Sequence, residues 1–318
     1  YGNMLKNLNP DDFETVSVLK GAAATALYGS RGLNGAVVIT TKSGKGATGF
    51  GVSVSQSFGI DHAHGGMKRQ MIYGPGQYSG NVTYGETDAN GKYYKWDNLN
   101  QFYLSNGKPT VIGQTSRLWG PMYDGRSIEN YDGTTTAYSP VESNMNDAYQ
   151  LGWNTNTNVA IRGGNDKTTY YSSISYKKAR GVVENNDFER YSIFLKGSHK
   201  ISDRLDINAS MSFAQSTPKN AQRNIGEYFA TGTFSTMYDT NYFRNKYLGE
   251  HGGLASTDYG DAYGSVPGKS LWFQIDNYDK TRKETVVRPT IEINYKILDW
   301  LQFRAAGNMN YYTVQWEA

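Results

Sequence analysis

The chain has 318 residues, with 32 Lys and Arg against 29 Asp and Glu and a net charge of +3. That balance is too slight to point to nucleic acid. Cys is absent, which excludes a disulfide framework and a thiolate metal site. Mean hydropathy is −0.64 and 38% of residues are hydrophobic, with no stretch near the roughly 18 apolar residues of a membrane helix. A membrane barrel stays open, because its signal is alternation and is weak in each segment. The 36 Gly, 26 Tyr and 6 Trp suit short strands, long loops and interfacial girdles. The chain starts at Tyr1 and stops at Ala318 inside a strand-like run, so we expect a segment cut at both ends, any signal peptide having been removed or lying upstream.

In chain order, Asn9-Pro10-Asp11-Asp12 reads as a cap with Pro at the first helical position. Residues 15–20 alternate like a strand. Residues 21–28 are Ala-rich and helix-prone, and Gly29, Gly32 and Gly35 break them. Residues 36–42 form a second, buried-looking strand. This is a strand–helix–strand unit of a small α/β domain.

From Phe50 onward the pattern has period two. Phe50, Val52, Val54, Phe58 and Ile60 share one face, and Gly51, Ser53, Ser55, Ser57 and Gly59 share the other. The same split returns at Leu205–Phe213, at 288–297 and at 301–311. Alternation by itself fits a soluble sheet with one wet face. The connections shift the balance. Strands are expected near 50–60, 155–163, 168–178, 188–200, 203–216, 286–297 and 300–316. The joins after the second, fourth and sixth are tight, whereas those after the first and fifth are long, near 61–154 and 217–285. Compact soluble domains usually have loops of about 4–6 residues. Tight turns at one end and large loops at the other fit an outer-membrane barrel. Tyr295, Trp300, Tyr311, Tyr312 and Trp316 lie near strand ends, as interfacial girdles do; ordinary sheet packing is the alternative.

Residues 8–20, from Leu8-Asn9-Pro10-Asp11-Asp12-Phe13, and residues 24–42, through Ala26-Leu27-Tyr28-Gly29-Ser30-Arg31-Gly32-Leu33-Asn34-Gly35, closely resemble the C-terminal plug motif of SusC/RagA-type TonB-dependent transporters. Residues 158–171 and 181–191 are similar to that family's second to fourth barrel strands. Gly21, where members often carry an acid, and Leu33, where they often carry Ala, depart mildly.

The resemblance implies an all-β transmembrane barrel of roughly 22 antiparallel strands with a small α/β plug inside. Residues 1–46 would be the C-terminal half of the plug, and 47–318 the first part of the barrel. The plug motif would rest on Tyr28, Gly29, Arg31, Gly32, Asn34 and Gly35. The location implied is the outer membrane of a Gram-negative bacterium of the Bacteroidota. Implied partners are membrane lipid, a SusD-like surface lipoprotein, and TonB with ExbB–ExbD. A dimer of transporter–lipoprotein pairs is a further implication. No bond need be made or broken, so no enzyme is expected, and no cofactor.

Other motifs weigh less. Gly44-Lys45-Gly46-Ala47-Thr48-Gly49 matches G-x-G-x-x-G, but a strand rather than a helix should follow, so we read a linker. Gly268-Lys269-Ser270 lacks the earlier Gly of a phosphate loop, that position being Tyr263. His62 and His64 show no third ligand. Asp88-Ala89-Asn90-Gly91 and Asp258-Tyr259-Gly260-Asp261 are where a structural Ca²⁺ would sit, with plain turns as the alternative. Arg31 is expected either to latch the plug to a wall carboxylate or to stay solvated. Tyr94, Trp96, Trp119, Tyr242 and Trp272 are candidates for stacking on substrate, or for packing the loops.

The leading expectation is TonB-dependent import of an oligosaccharide or peptide. The alternative is a SusC-like barrel serving as a structural or accessory part of a surface or secretion assembly. A soluble all-β carbohydrate-binding protein is third.

Overall fold

The computed structural model describes residues 7–47, 49–64, 68–74, 86–87, 93–97, 102–105, 108–110, 122–129, 135–221, 224–230, 236–237, 239–244, 247 and 267–317. They build a mostly antiparallel β structure with few helices. Among these residues no helix is long and apolar enough to cross a membrane.

The chain enters on a 3-10 turn, Pro10–Asp12. Asn9 caps it by accepting the Asp11 N–H, which satisfies a donor otherwise orphaned at the start of the turn. β1 (Phe13–Leu19), α1 (Ala22–Tyr28), a second 3-10 turn (Gly29–Gly32) and β2 (Ala36–Thr41) follow, the order expected from the sequence. β1 and β2 pair antiparallel, with Val16 opposite Ile39 and Val18 opposite Val37.

The long sheet is built from β3 (Gly49–Asp61), β10 (Gly152–Gly164), β11 (Thr168–Arg180), β12 (Asp187–Ser202), β13 (Leu205–Lys219) and β14 (Thr281–Leu298), each antiparallel to its neighbour. β15 (Leu301–Asn308) and β16 (Tyr311–Glu317) both pair with β14. At one end the turns are tight, at 165–167, 203–204 and 299–300. The connections at the other end span 62–151, 181–186 and 220–280.

One expected strand is interrupted. Residues 300–316 form β15 and β16 rather than a single element. The break, at 309–310, lies opposite Pro289. Met309 donates its N–H to the Pro289 carbonyl at 3.1 Å, and the return bond cannot form because Pro has no N–H. The register is the same on both sides, from Thr290 opposite Asn308 to Val287 opposite Tyr311.

The two faces of the long sheet are inverted relative to a soluble protein. One cross-strand row reads Val54, Val159, Ile174, Ile193, Phe213, Val287 and Tyr311. It is apolar yet open: Val54 is 69% exposed and Ile174 63%. The neighbouring row on the opposite face includes Asn158, Ser175, Ser192, Ala214 and Val286, and all five are buried. Period-two geometry forces this segregation once the register is fixed.

The long connections have structure of their own. The first carries a small sheet of six short strands: β4 (Glu86–Thr87), β5 (Tyr93–Asp97), β6 (Phe102–Ser105), β7 (Lys108–Thr110), β8 (Ser127–Glu129) and β9 (Thr135–Ala137). The second carries α2 (Gly226–Ala230), α3 (Thr240–Arg244) and α4 (Pro267–Asn277). Both contribute to one apolar core of Ile128, Tyr138, Ala148, Ile225, Phe229, Met237, Leu271, Trp272 and Ile275, which Val183 of the short connection joins.

Candidate functional site

Residues 7–12 lie against the buried face of the long sheet, and nearly every link between them is a hydrogen bond. Asp12 is 6% exposed. Its Oδ1 accepts from the Tyr171 hydroxyl at 3.0 Å and from the Ser173 hydroxyl. Both donors stand on the same face of β11, two residues apart, as strand periodicity requires. Asp11 Oδ2 accepts from Asn156 Nδ2 at 2.6 Å, and Asn9 Nδ2 donates to Asn158 Oδ1 at 3.3 Å. Arg190 Nη1 donates to the Leu8 carbonyl at 3.0 Å. Asn7 reaches two further strands: Ser216 Oγ donates to its Oδ1 at 3.1 Å, and its Nδ2 donates to Glu284 at 3.3 Å. Glu284 is buried and also pairs with Arg282. A buried carboxylate has to be met in this way, because burying a charge without partners is costly.

The far end of the unit is tied at the same place. Lys42 donates from its backbone N–H to the Asp12 carbonyl at 2.8 Å and from Nζ to the Asp11 carbonyl at 2.7 Å. Lys196 Nζ of β12 donates to the Thr41 carbonyl and hydroxyl at 3.1 and 3.0 Å. Gly44 then crosses the end of the β10–β11 hairpin so closely that a Cβ would run into the backbone of Gly163 and Tyr170. The chain therefore enters and leaves the unit at one root.

The expected plug motif sits away from that root. Tyr28 ends α1 at 48% exposure, and Gly29 caps the helix with its N–H on the Thr25 carbonyl. Arg31 is exposed in the 3-10 turn and Asn34 is exposed beside it, whereas Gly32 is buried. Gly35 has φ +92, and a Cβ there would come within 2.9 Å of the Leu19 carbonyl. L side chains rarely adopt that backbone, so the turn into β2 calls for glycine. Among the described residues no carboxylate meets Arg31, and the fastening runs through residues 7–12 instead. An open groove of about 450 Å³ lies on this side, lined by residues that include Val18, Leu33 and Val37.

In sequence Asn9-Pro10-Asp11-Asp12 reads as a cap within the plug-like stretch, and its bonding to the sheet is not evident there. A signal was available: Asn154, Asn156 and Asn158 of β10 and Ser173 and Ser175 of β11 stand at alternate positions, and such a face, if covered, demands hydrogen-bonding partners.

The loop aromatics separate. Trp272 is 1% exposed inside the loop core, with Nε1 donating to the Thr240 carbonyl at 2.9 Å and the Arg244 guanidinium 4.2 Å from its ring centroid. Arg244 in turn pairs with Glu184. In this arrangement the Trp272 indole packs loops and is not offered to a ligand. Tyr242 is half-buried against the same core. Trp119 and the side chains of Tyr94 and Trp96 lie outside the described residues. So do both expected Ca²⁺ turns, 88–91 and 258–261. The ring centroids of His62 and His64 are 6.3 Å apart, and no group of three or more metal-ligating side chains gathers among the described residues. Gly268-Lys269-Ser270 falls within α4, and β3 rather than a helix begins at Gly49.

Titrating groups in the loops act structurally. The Arg126 side chain, by its hydrogen bond, holds the Asp124 carboxyl below its usual range. Burial pushes the Tyr138 phenol up. The hydrogen bond to Asp276 pushes Tyr247 up to about 12.

No family model matches the chain. It is 28% identical over 214 residues to the TonB-dependent receptor SusC of Bacteroides thetaiotaomicron, covering 66% of this chain and 17% of that protein. It is 26% identical over 208 residues to TonB-dependent receptor P3 of Formosa agariphila, covering 65% of this chain and 16% of that one. The chain thus spans about a sixth of the length of these relatives. Among solved structures, the RagAB peptide importer in its closed-closed state matches with a TM-score of 0.61 and 19% identity, over 98% of this chain and 33% of that one. The open-open state gives 0.60 over the same shares. At such identity the structural match speaks for the fold. Sequence and fold agree: the chain is related to the SusC/RagA-type TonB-dependent transporters.

Proposed function

We propose that this chain is the gate-and-wall segment of an active importer in the outer membrane of a Gram-negative bacterium. Residues 1–46 are read as the C-terminal half of the plug and 47–318 as the first part of a barrel of about 22 strands. The observation that carries the reading is the inverted sheet. Its open face is apolar from Val54 on β3 to Tyr311 on β16, and its buried face is Ser- and Asn-rich and lies against residues 7–12. An apolar face of this extent needs cover that water does not give. Lipid supplies it, provided the sheet closes so that no edge is left unpaired.

The long connections gather at one end of the sheet, where a surface lipoprotein of the SusD type would close over an oligosaccharide or peptide. TonB, driven by ExbB–ExbD, would then move the plug. Similarity to TonB-dependent receptors supports TonB dependence, and RagAB is a peptide importer. None of these steps makes or breaks a covalent bond in the cargo.

Fractionation of the full-length protein tests the membrane part, and growth tests the transport part. The protein should stay with outer membranes until detergent is added. Deleting its gene should abolish growth on one glycan or peptide mixture. Recovery in the aqueous phase without detergent would sink the reading.

A further inference from the structure

We infer that Asp12, supported by Asn7, Asn9 and Asp11, is the polar clasp that holds the N-terminal unit to the wall and sets how readily it lets go. The inference rests on the import reading and deepens it by naming the residues that restrain the gate. Three observations carry it.

The first is chemical. The clasp spans β10, β11, β12, β13 and β14 through Asn156, Asn158, Tyr171, Ser173, Arg190, Ser216 and Glu284, and each of these links is a hydrogen bond. Hydrogen bonds weaken steeply once donor and acceptor separate beyond about 3.5 Å, so a short displacement breaks them together. Water can then satisfy the polar groups released, and these are not penalised as apolar ones would be. Such a joint can open and re-form.

The second is positional. Entry and exit of the unit meet at this place, with Lys42 bonded to the Asp11 and Asp12 carbonyls and Lys196 to Thr41. The third is the placement of the alternative: Arg31 and Asn34, in the turn from α1 to β2, are exposed and carry no such links to the sheet.

Asp12 is a positioning residue, and the test reads exposure of the seam rather than transport alone. The 318 residues contain no Cys, and in a full-length protein cleared of any other Cys an introduced thiol reports its own position. Ser175 is 3% exposed on the same face of β11 as Ser173 and makes a suitable reporter. The full-length protein carrying Ser175→Cys is labelled with a membrane-impermeant maleimide in outer-membrane preparations. Adding Asp12→Ala should speed labelling at least tenfold, whereas Asp12→Asn, which keeps an acceptor, should stay within about threefold of the parent. Tyr171→Phe with Ser173→Ala removes the donors from the wall side and should reproduce the Asp12→Ala rate. That second variant guards against misfolding of the first. Labelling at the parent rate in both variants would overturn the clasp. In energised cells the parent should label faster than in cells treated with a protonophore. If that difference is absent while the variants still label fast, the clasp stands and the import reading fails instead.

Discussion

The cap formed by the long connections coheres through apolar side chains, with Phe229, Leu271, Trp272 and Ile275 each at 1% exposure. The seam between residues 7–12 and the long sheet buries Asn7, Asn9, Asp12, Asn158, Ser173, Ser175 and Arg190 instead. Both are interfaces between parts of the chain far apart in sequence, and both exclude water. They differ in what separation costs. Opening the cap exposes hydrocarbon to solvent, at about 25 cal/mol per Å². Opening the seam exchanges protein hydrogen bonds for water, at a net of about 0.5–1.5 kcal/mol each. The cap is built to stay shut as a unit, and the seam to yield.

The largest expected effect comes from breaking the cap. Trp272→Ala should cost about 3–5 kcal/mol through the cavity and the lost bond to Thr240. Limited proteolysis should then cut within 220–280 while the long sheet survives. The next sharpens a third environment. Ile174→Lys, on the open apolar face, should cost about 2–4 kcal/mol at the bilayer midplane, and folding into lipid vesicles reads it. The same change in a soluble protein would be nearly neutral, so a null result would contradict the membrane reading. Tyr171→Phe removes one donor to Asp12 and should cost about 1 kcal/mol, measured by chemical denaturation in detergent.

The smallest effect concerns pH. The fold favours the protonated phenol of Tyr247, because its hydrogen bond to Asp276 raises the group to about 12. The contribution is whole below the unfolded value of about 10 and is lost as pH rises toward 12. Proteolysis of the cap should accelerate across that interval, and less so in Tyr247→Phe. An equal response in the two proteins would show that the cap's alkaline sensitivity lies elsewhere.

Much of the long sheet was legible in the sequence. Strand positions, tight turns and long connections follow from period-two alternation and from the spacing of turn residues, which are local properties. The strand–helix–strand order of residues 13–41 was legible for the same reason. The split of the last strand was not read, although its cause, Pro289, is visible: a missing N–H matters only once the partner opposite it is known, and Met309 is twenty residues away.

The parts that decide function depended on tertiary structure. Alternation divides residues between two faces and leaves open which face is covered. Only assembly shows that the Ser and Asn face is buried and the Val and Ile face is open, which turns an ordinary amphipathic sheet into one suited to lipid. Arg31 is open in sequence between a latch and a solvated turn residue, and it is exposed. Asp12 looked like a cap residue because its local role is satisfied by the turn, while its carboxylate answers to Tyr171 and Ser173, about 160 residues away. Trp272 gave no sign in sequence that Thr240 and Arg244 would close over it. The sequence by itself determined the elements and their periodicity, because those are set by neighbours along the chain. Tertiary structure decided which groups are buried and what they bond to, because a hydrogen bond or a buried face requires a partner that only folding brings near.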